Sequence, residues 1–108
     1  MYQEATNSRT RIVVRPPEDL PYKVVAQYLD GCRMGLESLK DAIARADFDF
    51  VGVYAHRMKG SGGAYGFAEL TGIGARMERA AQFGNYGAVR ECAAALEAYL
   101  EAVEVAGP

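Results

Sequence analysis

Four apolar stripes, each recurring at intervals of three and four and joined by connections a few residues long, leave this chain of 108 residues little choice of fold. The first runs through Val24, Val25, Tyr28, Leu29, Cys32, Leu36, Leu39 and Ile43, with Lys23, Asp30, Arg33, Lys40 and Asp41 on a charged opposite face. It opens at Glu18-Asp19-Leu20-Pro21, where two acids suit the positive end of a helix dipole and a proline is tolerated in the first turn. Gly31 and Gly35 fall inside it and either divide it or ease close packing; periodicity leaves both open. Asp47-Phe48-Asp49 supplies a short connection and an N-cap, with Phe48 placed to staple the next helix. That second helix spans Asp49 to about Gly63. Ala64-Tyr65-Gly66 then turns the chain, Gly66 being the residue suited to positive φ. Phe67, Leu70, Ile73, Met77 and Ala80 or Ala81 line a third helix that Gly84 ends. Asn85 caps a fourth, in which Val89, Cys92, Leu96, Tyr99, Leu100 and Val103 face inward while Arg90, Glu91, Glu97, Glu101 and Glu104 stay in water. Short connections between helices of similar length make neighbours antiparallel, so the pattern predicts an all-α, antiparallel up-down four-helix bundle.

Ahead of the bundle domain, residues 18–108, residues 1–17 read as a flexible or extended N-terminal arm. Met1 to Thr10 is polar and patternless and is expected to fray. Arg11-Ile12-Val13-Val14-Arg15 reads as extended, but Pro16-Pro17 stops it and a lone strand has nothing to pair with. The arm is therefore expected to lie along the bundle or to be the remnant of a junction with another domain.

Composition removes several classes of function. A formal net charge of −2 argues against a nucleic-acid binder, which needs a basic surface to neutralise phosphates. No run approaches the 18 or so apolar residues of a membrane span, and the first residues lack the order of a signal peptide, so a cytoplasmic protein without membrane partner is expected. Cys32 and Cys92 are solitary within apolar patterns and read as core thiols; with one histidine they do not make a zinc site, and no metal ligands are assigned.

The remaining question is what the second helix is for. Placed at about 100° per residue, Val51, Tyr54, Ala55, Met58 and Gly62 occupy a sector about 100° wide, the usual width of a core-facing stripe. The only histidine, His56, points the other way. Around it at helical neighbour positions stand Gly52, Val53, Lys59, Gly60 and Gly63, and seven of the twelve glycines lie between Gly52 and Gly74. Each glycine within a helix costs about 0.8 to 1 kcal/mol relative to alanine, so three on one exposed face give up stability that a purely structural helix would keep. Clearance is the simplest compensation: a bare surface lets another macromolecule approach the ring.

His56-Arg57-Met58-Lys59-Gly60-Ser61, followed by small residues and closed by Tyr65-Gly66-Phe67, resembles the histidine-containing phosphotransfer (HPt) domain over about Asp19 to Val105. The resemblance implies a phosphoryl carrier in a multistep His-Asp relay of two-component signalling, with the histidine on the second helix of an antiparallel four-helix bundle. It implies that His56 is the phospho-acceptor and that Lys59 helps to hold the phosphoryl group. Gly60 and Gly63 then match the small positions against which a receiver domain docks, and Gly66 the turn glycine. Met58 stands where leucine is more usual, a volume-conserving exchange. Gly52 and Val53 replace the more usual polar residues and bear on the partner surface.

The implied function is acceptance of a phosphoryl group on His56 from an aspartyl phosphate and its passage to a second receiver. The implied partners are receiver domains of hybrid sensor histidine kinases and of response regulators. Such a chain is a carrier, not an enzyme, and is expected to be monomeric. It holds no cofactor of its own, and Mg²⁺ comes with the receiver, since nothing here resembles an oxygen-ligand metal site. Two other readings compete. An enzyme would pair His56 as general base with Ser61 or Tyr65, but no second carboxylate or histidine stands within a turn to orient the imidazole. Ser61 moreover lies about 140° from His56 and reads as packed or bonded to backbone. A helical adaptor would bind partners without chemistry and would survive replacement of His56.

Overall fold

A computed structural model describes residues 11–107. The expected fraying of Met1–Thr10 falls outside the described residues. Four helices follow one another: α1 (Tyr22–Ala44), α2 (Phe48–Gly62), α3 (Ala68–Gln82) and α4 (Tyr86–Ala102). A short 3-10 turn, Gly63–Tyr65, joins α2 to α3. Two three-residue strands flank the helices, β1 (Ile12–Val14) and β2 (Val103–Val105). The all-α four-helix architecture follows the periodicity, and the core is built from the stripes read above: Val25, Leu29, Leu39 and Ile43; Val51, Ala55 and Met58; Leu70, Ile73 and Met77; Val89, Leu96 and Leu100. Phe67, which has no exposed surface, plugs the bundle at the α2–α3 turn.

Glycine or alanine in the left-handed region closes three of the helices. Gly66 (φ 98°) and Gly84 (φ 62°) end the second and third helical segments, and Ala46 (φ 55°) does the same after α1. At each, the next amide reaches back to an orphan carbonyl, Asp47 N to Ala42 O at 2.9 Å, Phe67 N to Gly62 O at 2.8 Å and Asn85 N to Ala80 O at 2.9 Å. Asp47 and Asn85 then cap the helices that start there, accepting from Phe50 N at 3.1 Å and Ala88 N at 3.0 Å.

Local pattern was misleading at four places and left a fifth, the glycines of α1, open. Pro21 is the N-cap of α1, with no acid in the first turn, so Glu18 and Asp19 sit in the turn before the helix; the carbonyl of Pro21 already accepts from Val24 and Val25. Val24 is 38% exposed because it lies about 90° from the centre of its stripe. Phe48 is the first residue of α2 and packs edge-on against Tyr86, with ring centroids 6.4 Å apart, instead of stapling from outside the helix. Gly31 and Gly35 do not divide α1; a methyl on Gly35 would touch the Tyr54 hydroxyl at 3.4 Å, so its bareness admits that ring. Arg33 does not stand free on a charged face. Its Nε and Nη2 donate to Leu100 O at 3.1 and 2.9 Å, and Nη2 also donates to Val103 O at 2.7 Å. A helix C-terminus leaves carbonyls without donors, and a forked cation satisfies them and the negative end of the dipole together.

Ile12–Val14 is extended, but it is not a lone strand. β1 pairs in parallel with β2, Ile12 opposite Val103 and Val14 opposite Val105, extended by Ala106 N to Val14 O at 2.8 Å. Arg11 adds an ion pair to Glu104 at 2.8 Å. By periodicity the partner strand reads as the end of α4. β-branched Val103 and Val105 favour the extended state once a second strand is present, and that strand lies about ninety residues away in sequence.

Candidate functional site

The site forms where α2 and α3 approach most closely, and two glycines set that distance. A methyl on Gly74 would stand 2.7 Å from Lys59 N, 2.8 Å from Ala55 O and 2.9 Å from Lys59 Cα, all backbone atoms of α2. One on Gly62 would meet Leu70 Cβ at 2.7 Å and Phe67 O at 3.0 Å. Hydrogen on both Cα atoms therefore lets the two backbones touch. Thr71 ties the C-terminal end of α2 down: its hydroxyl donates to Lys59 O at 2.9 Å and accepts from Gly63 N at 2.8 Å.

One turn beyond Gly74, at i+4, stands Glu78, carried by that close contact to the outward edge of α2. Its Oε2 lies 2.9 Å from Nδ1 of His56 and its Oε1 lies 2.7 Å from Nζ of Lys59. Glu78 is the functional candidate that the sequence reading missed. Along the sequence no orienting carboxylate stands within a turn of His56; this one comes from the next helix. A signal was there: Thr71, Gly74 and Glu78 at i, i+3 and i+7 make a small and polar stripe beside the apolar one of α3.

His56 is exposed, with 67% of its side chain open to solvent, while Glu78 is mostly covered at 17%. An ionised carboxylate has only lone pairs to offer, so the hydrogen in the His56–Glu78 bond belongs to Nδ1, and in the neutral ring the lone pair sits on Nε2. The Lys59 ammonium, with His56 assisting, holds the Glu78 carboxyl below the usual carboxylate range. A lowered carboxyl pKa stabilises the fold above the ordinary carboxylate range and loses that contribution as pH falls through the lowered value. At neutral pH the carboxylate is therefore ionised and the ring's orientation fixed.

The other predicted positions surround this pair. Gly60 opens to solvent, with nothing within 4 Å of where its Cβ would be. Gly52 is half-buried, 3.9 Å from the Ala81 methyl by the same measure. Val53 is 54% exposed. Gly52, Val53, His56, Arg57, Glu78 and Ala81 line one open depression, and Val53 and Arg57 also border an apolar groove between α1 and α2 lined by Tyr28, Phe50 and Tyr54. Gly63 opens the 3-10 turn and is exposed, but a methyl there would stand 3.2 Å from Thr71 Oγ1, so its bareness also serves the α2–α3 tie.

Ser61 and Tyr65 are engaged elsewhere. Ser61 Oγ donates to Arg57 O at 2.9 Å, which leaves the Tyr28 hydroxyl to donate to Ser61 Oγ at 2.7 Å. Tyr65 stacks on Tyr28 with centroids 4.1 Å apart. Burial pushes the Tyr28 hydroxyl up to about 12, so it stays protonated. Cys32 and Cys92 are free thiols, both pushed up by burial. Among the described residues no group of three His, Cys, Asp or Glu side chains is arranged to hold a metal ion, and no helix is long and apolar enough to cross a membrane.

A solvent-facing imidazole with a carboxylate on Nδ1 and an ammonium beside it offers a nucleophilic nitrogen and a positive charge on one face of the four-helix bundle. The chain matches the family model of the Hpt domain over residues 23–106, and it belongs to that family. No match was found among curated proteins or among solved structures. Hpt domains are phosphoryl carriers of phosphorelays and interact there with receiver domains.

Proposed function

We propose that this chain accepts a phosphoryl group on Nε2 of His56 from the aspartyl phosphate of one receiver domain and passes it to the aspartate of another. The observation that carries this reading is the exposed His56 ring, whose only side-chain partner among the described residues is Glu78 on Nδ1, leaving Nε2 without one. An in-line transfer needs a placed nucleophile and neutralisation of the oxygens around phosphorus. His56 is the nucleophile, and Lys59, anchored one turn on, meets the arriving charge. Mg²⁺ and the acidic pocket are the receiver's. The receiver docks over Gly52, Val53, Gly60 and Gly63, where bare backbone and the exposed Val53 leave room beside the ring. The donors and acceptors are receivers of hybrid sensor kinases and response regulators, and the chain itself does not phosphorylate from nucleotide.

Mixing the protein with labelled, phosphorylated receiver domains tests the reading. Label should move to this chain as an acid-labile, alkali-stable phosphoramidate, and move on when an unphosphorylated receiver is added. Absence of transfer from every receiver tried, with the bundle folded, would count against the relay.

Lys59 is expected to contribute charge more than structure. Its side chain is 40% exposed and its charge screened between encounters, so Lys59→Ala should slow transfer about tenfold and shift the phosphoryl equilibrium toward the receiver. Lys59→Arg should recover part of the loss, its planar fork meeting the oxygens in a different geometry. Exchange kinetics with one receiver at two salt concentrations check this; an alanine variant as fast as the parent at both removes Lys59 from the site.

A further inference from the structure

The carboxylate behind His56 has a role beyond holding the ring still. Transfer to Nε2 forms an N–P bond with the nitrogen lone pair while the P–O bond of the aspartyl phosphate breaks and the carboxylate departs with its electrons. Nδ1 keeps its proton throughout, so the phosphorylated ring starts as an imidazolium. Whether it remains one depends on what faces Nδ1. If that proton is lost, the leaving group for the next transfer is an anionic imidazolide, a poor one; if it is kept, the leaving group is neutral imidazole.

The charged groups facing His56 are few. On α2, Asp49 and Arg57 line the same depression and Lys59 reaches it through Glu78, and on α3 there is Glu78, the only one bonded to the ring. Lys59 binds the other oxygen of the same carboxylate, which fixes Glu78 in place without competing for Oε2. The bare contact at Gly74 sets the backbone of Glu78 close to α2, and the mostly covered side chain is tied at both oxygens, to Nδ1 of His56 and to Nζ of Lys59.

We propose that Glu78 is a positioning residue that keeps the proton on Nδ1 of phosphorylated His56, so that the phosphoryl group stays labile at neutral and mildly alkaline pH and the site works as a donor. This rests on the reading of His56 as the phospho-acceptor. In the return step a receiver carboxylate oxygen attacks phosphorus, the N–P bond breaks, and its electron pair returns to Nε2, again with no proton moved. Glu78 thereby biases the site toward giving the phosphoryl group away.

Potassium phosphoramidate, which needs no receiver, is the probe. The parent, Glu78→Gln and Glu78→Asp would be phosphorylated with it, the Nδ1 titration of the phosphorylated ring followed by ¹⁵N NMR, and phosphoryl loss to water timed across pH. An opposite charge in contact shifts an ionisation by about one unit or more, so the parent ring should titrate at least about one unit above that of Glu78→Gln. Near pH 8 the glutamine variant should then lose its phosphoryl group about tenfold more slowly, and the two should converge below about pH 5.5, where both rings are protonated. Glu78→Asp should fall between them. Equal titration of the parent and glutamine rings overturns the proposal, as does a slowing by the same factor at every pH, which is the mark of a purely structural role. Receiver-dependent labelling of the same proteins keeps the relay reading separate: its failure leaves the titration result intact, and its success does not rescue Glu78 if the titrations coincide.

Discussion

His56→Gln is expected to abolish phosphoryl acceptance while leaving the bundle folded. The ring is largely in solvent and makes one side-chain hydrogen bond among the described residues, to Glu78. A glutamine amide can donate to the same carboxylate, so the substitution strands no polar group, and exposed changes of this kind move stability by about 0.5 kcal/mol or less. Loss of label should nevertheless be complete. Ser61 is committed to Arg57 O, and Tyr65 is stacked on Tyr28, so neither stands in as nucleophile. Label transfer from a phosphorylated receiver, read beside circular dichroism of the variant, decides it. A folded His56→Gln protein that is still labelled would overturn the site, and one that keeps its cellular function would favour the adaptor reading.

Gly74→Ala should destabilise the domain by about 2 kcal/mol, although alanine is the better helix former by about 1 kcal/mol. The added methyl would fall within 3 Å of three backbone atoms of α2, and backbone cannot rotate aside as a side chain can. The helices have to part, and Glu78, one turn on, should be drawn away from His56 and Lys59. For a domain of this size the loss corresponds to a fall in melting temperature of about 10 °C. Gly60→Ala is the contrasting case: the same methyl on the facing helix meets nothing within 4 Å, so it should stabilise by about 0.5 to 1 kcal/mol. Thermal denaturation of the two variants checks the pair, and equal effects would show that the close contact at Gly74 does not set the helix spacing.

Read by itself, the sequence determined most of what depends on neighbours within a turn. Val51, Ala55, Met58 and Gly62 fall on one side of α2 and His56 on the other because helical angle is fixed by residue count, and the four helices follow from repeated stripes of that kind. A cap within Asp47-Phe48-Asp49, Asn85 as the cap of α4, Gly66 as a positive-φ turn and Gly84 as the end of α3 were equally local. Tertiary structure alone decided what one helix brings to another. Glu78 reaches His56 only because Gly74 brings α3 against the backbone of α2, and no count along one helix gives the distance between two. Arg33 reads as a solvent charge until the end of α4 is set beside it. Ile12–Val14 reads as a strand without a partner because its partner, Val103–Val105, lies at the other end of the chain and is extended only when the two are brought together. Hydrogen bonds and ion pairs depend on separation in space, which sequence fixes within a helix and leaves to packing between helices.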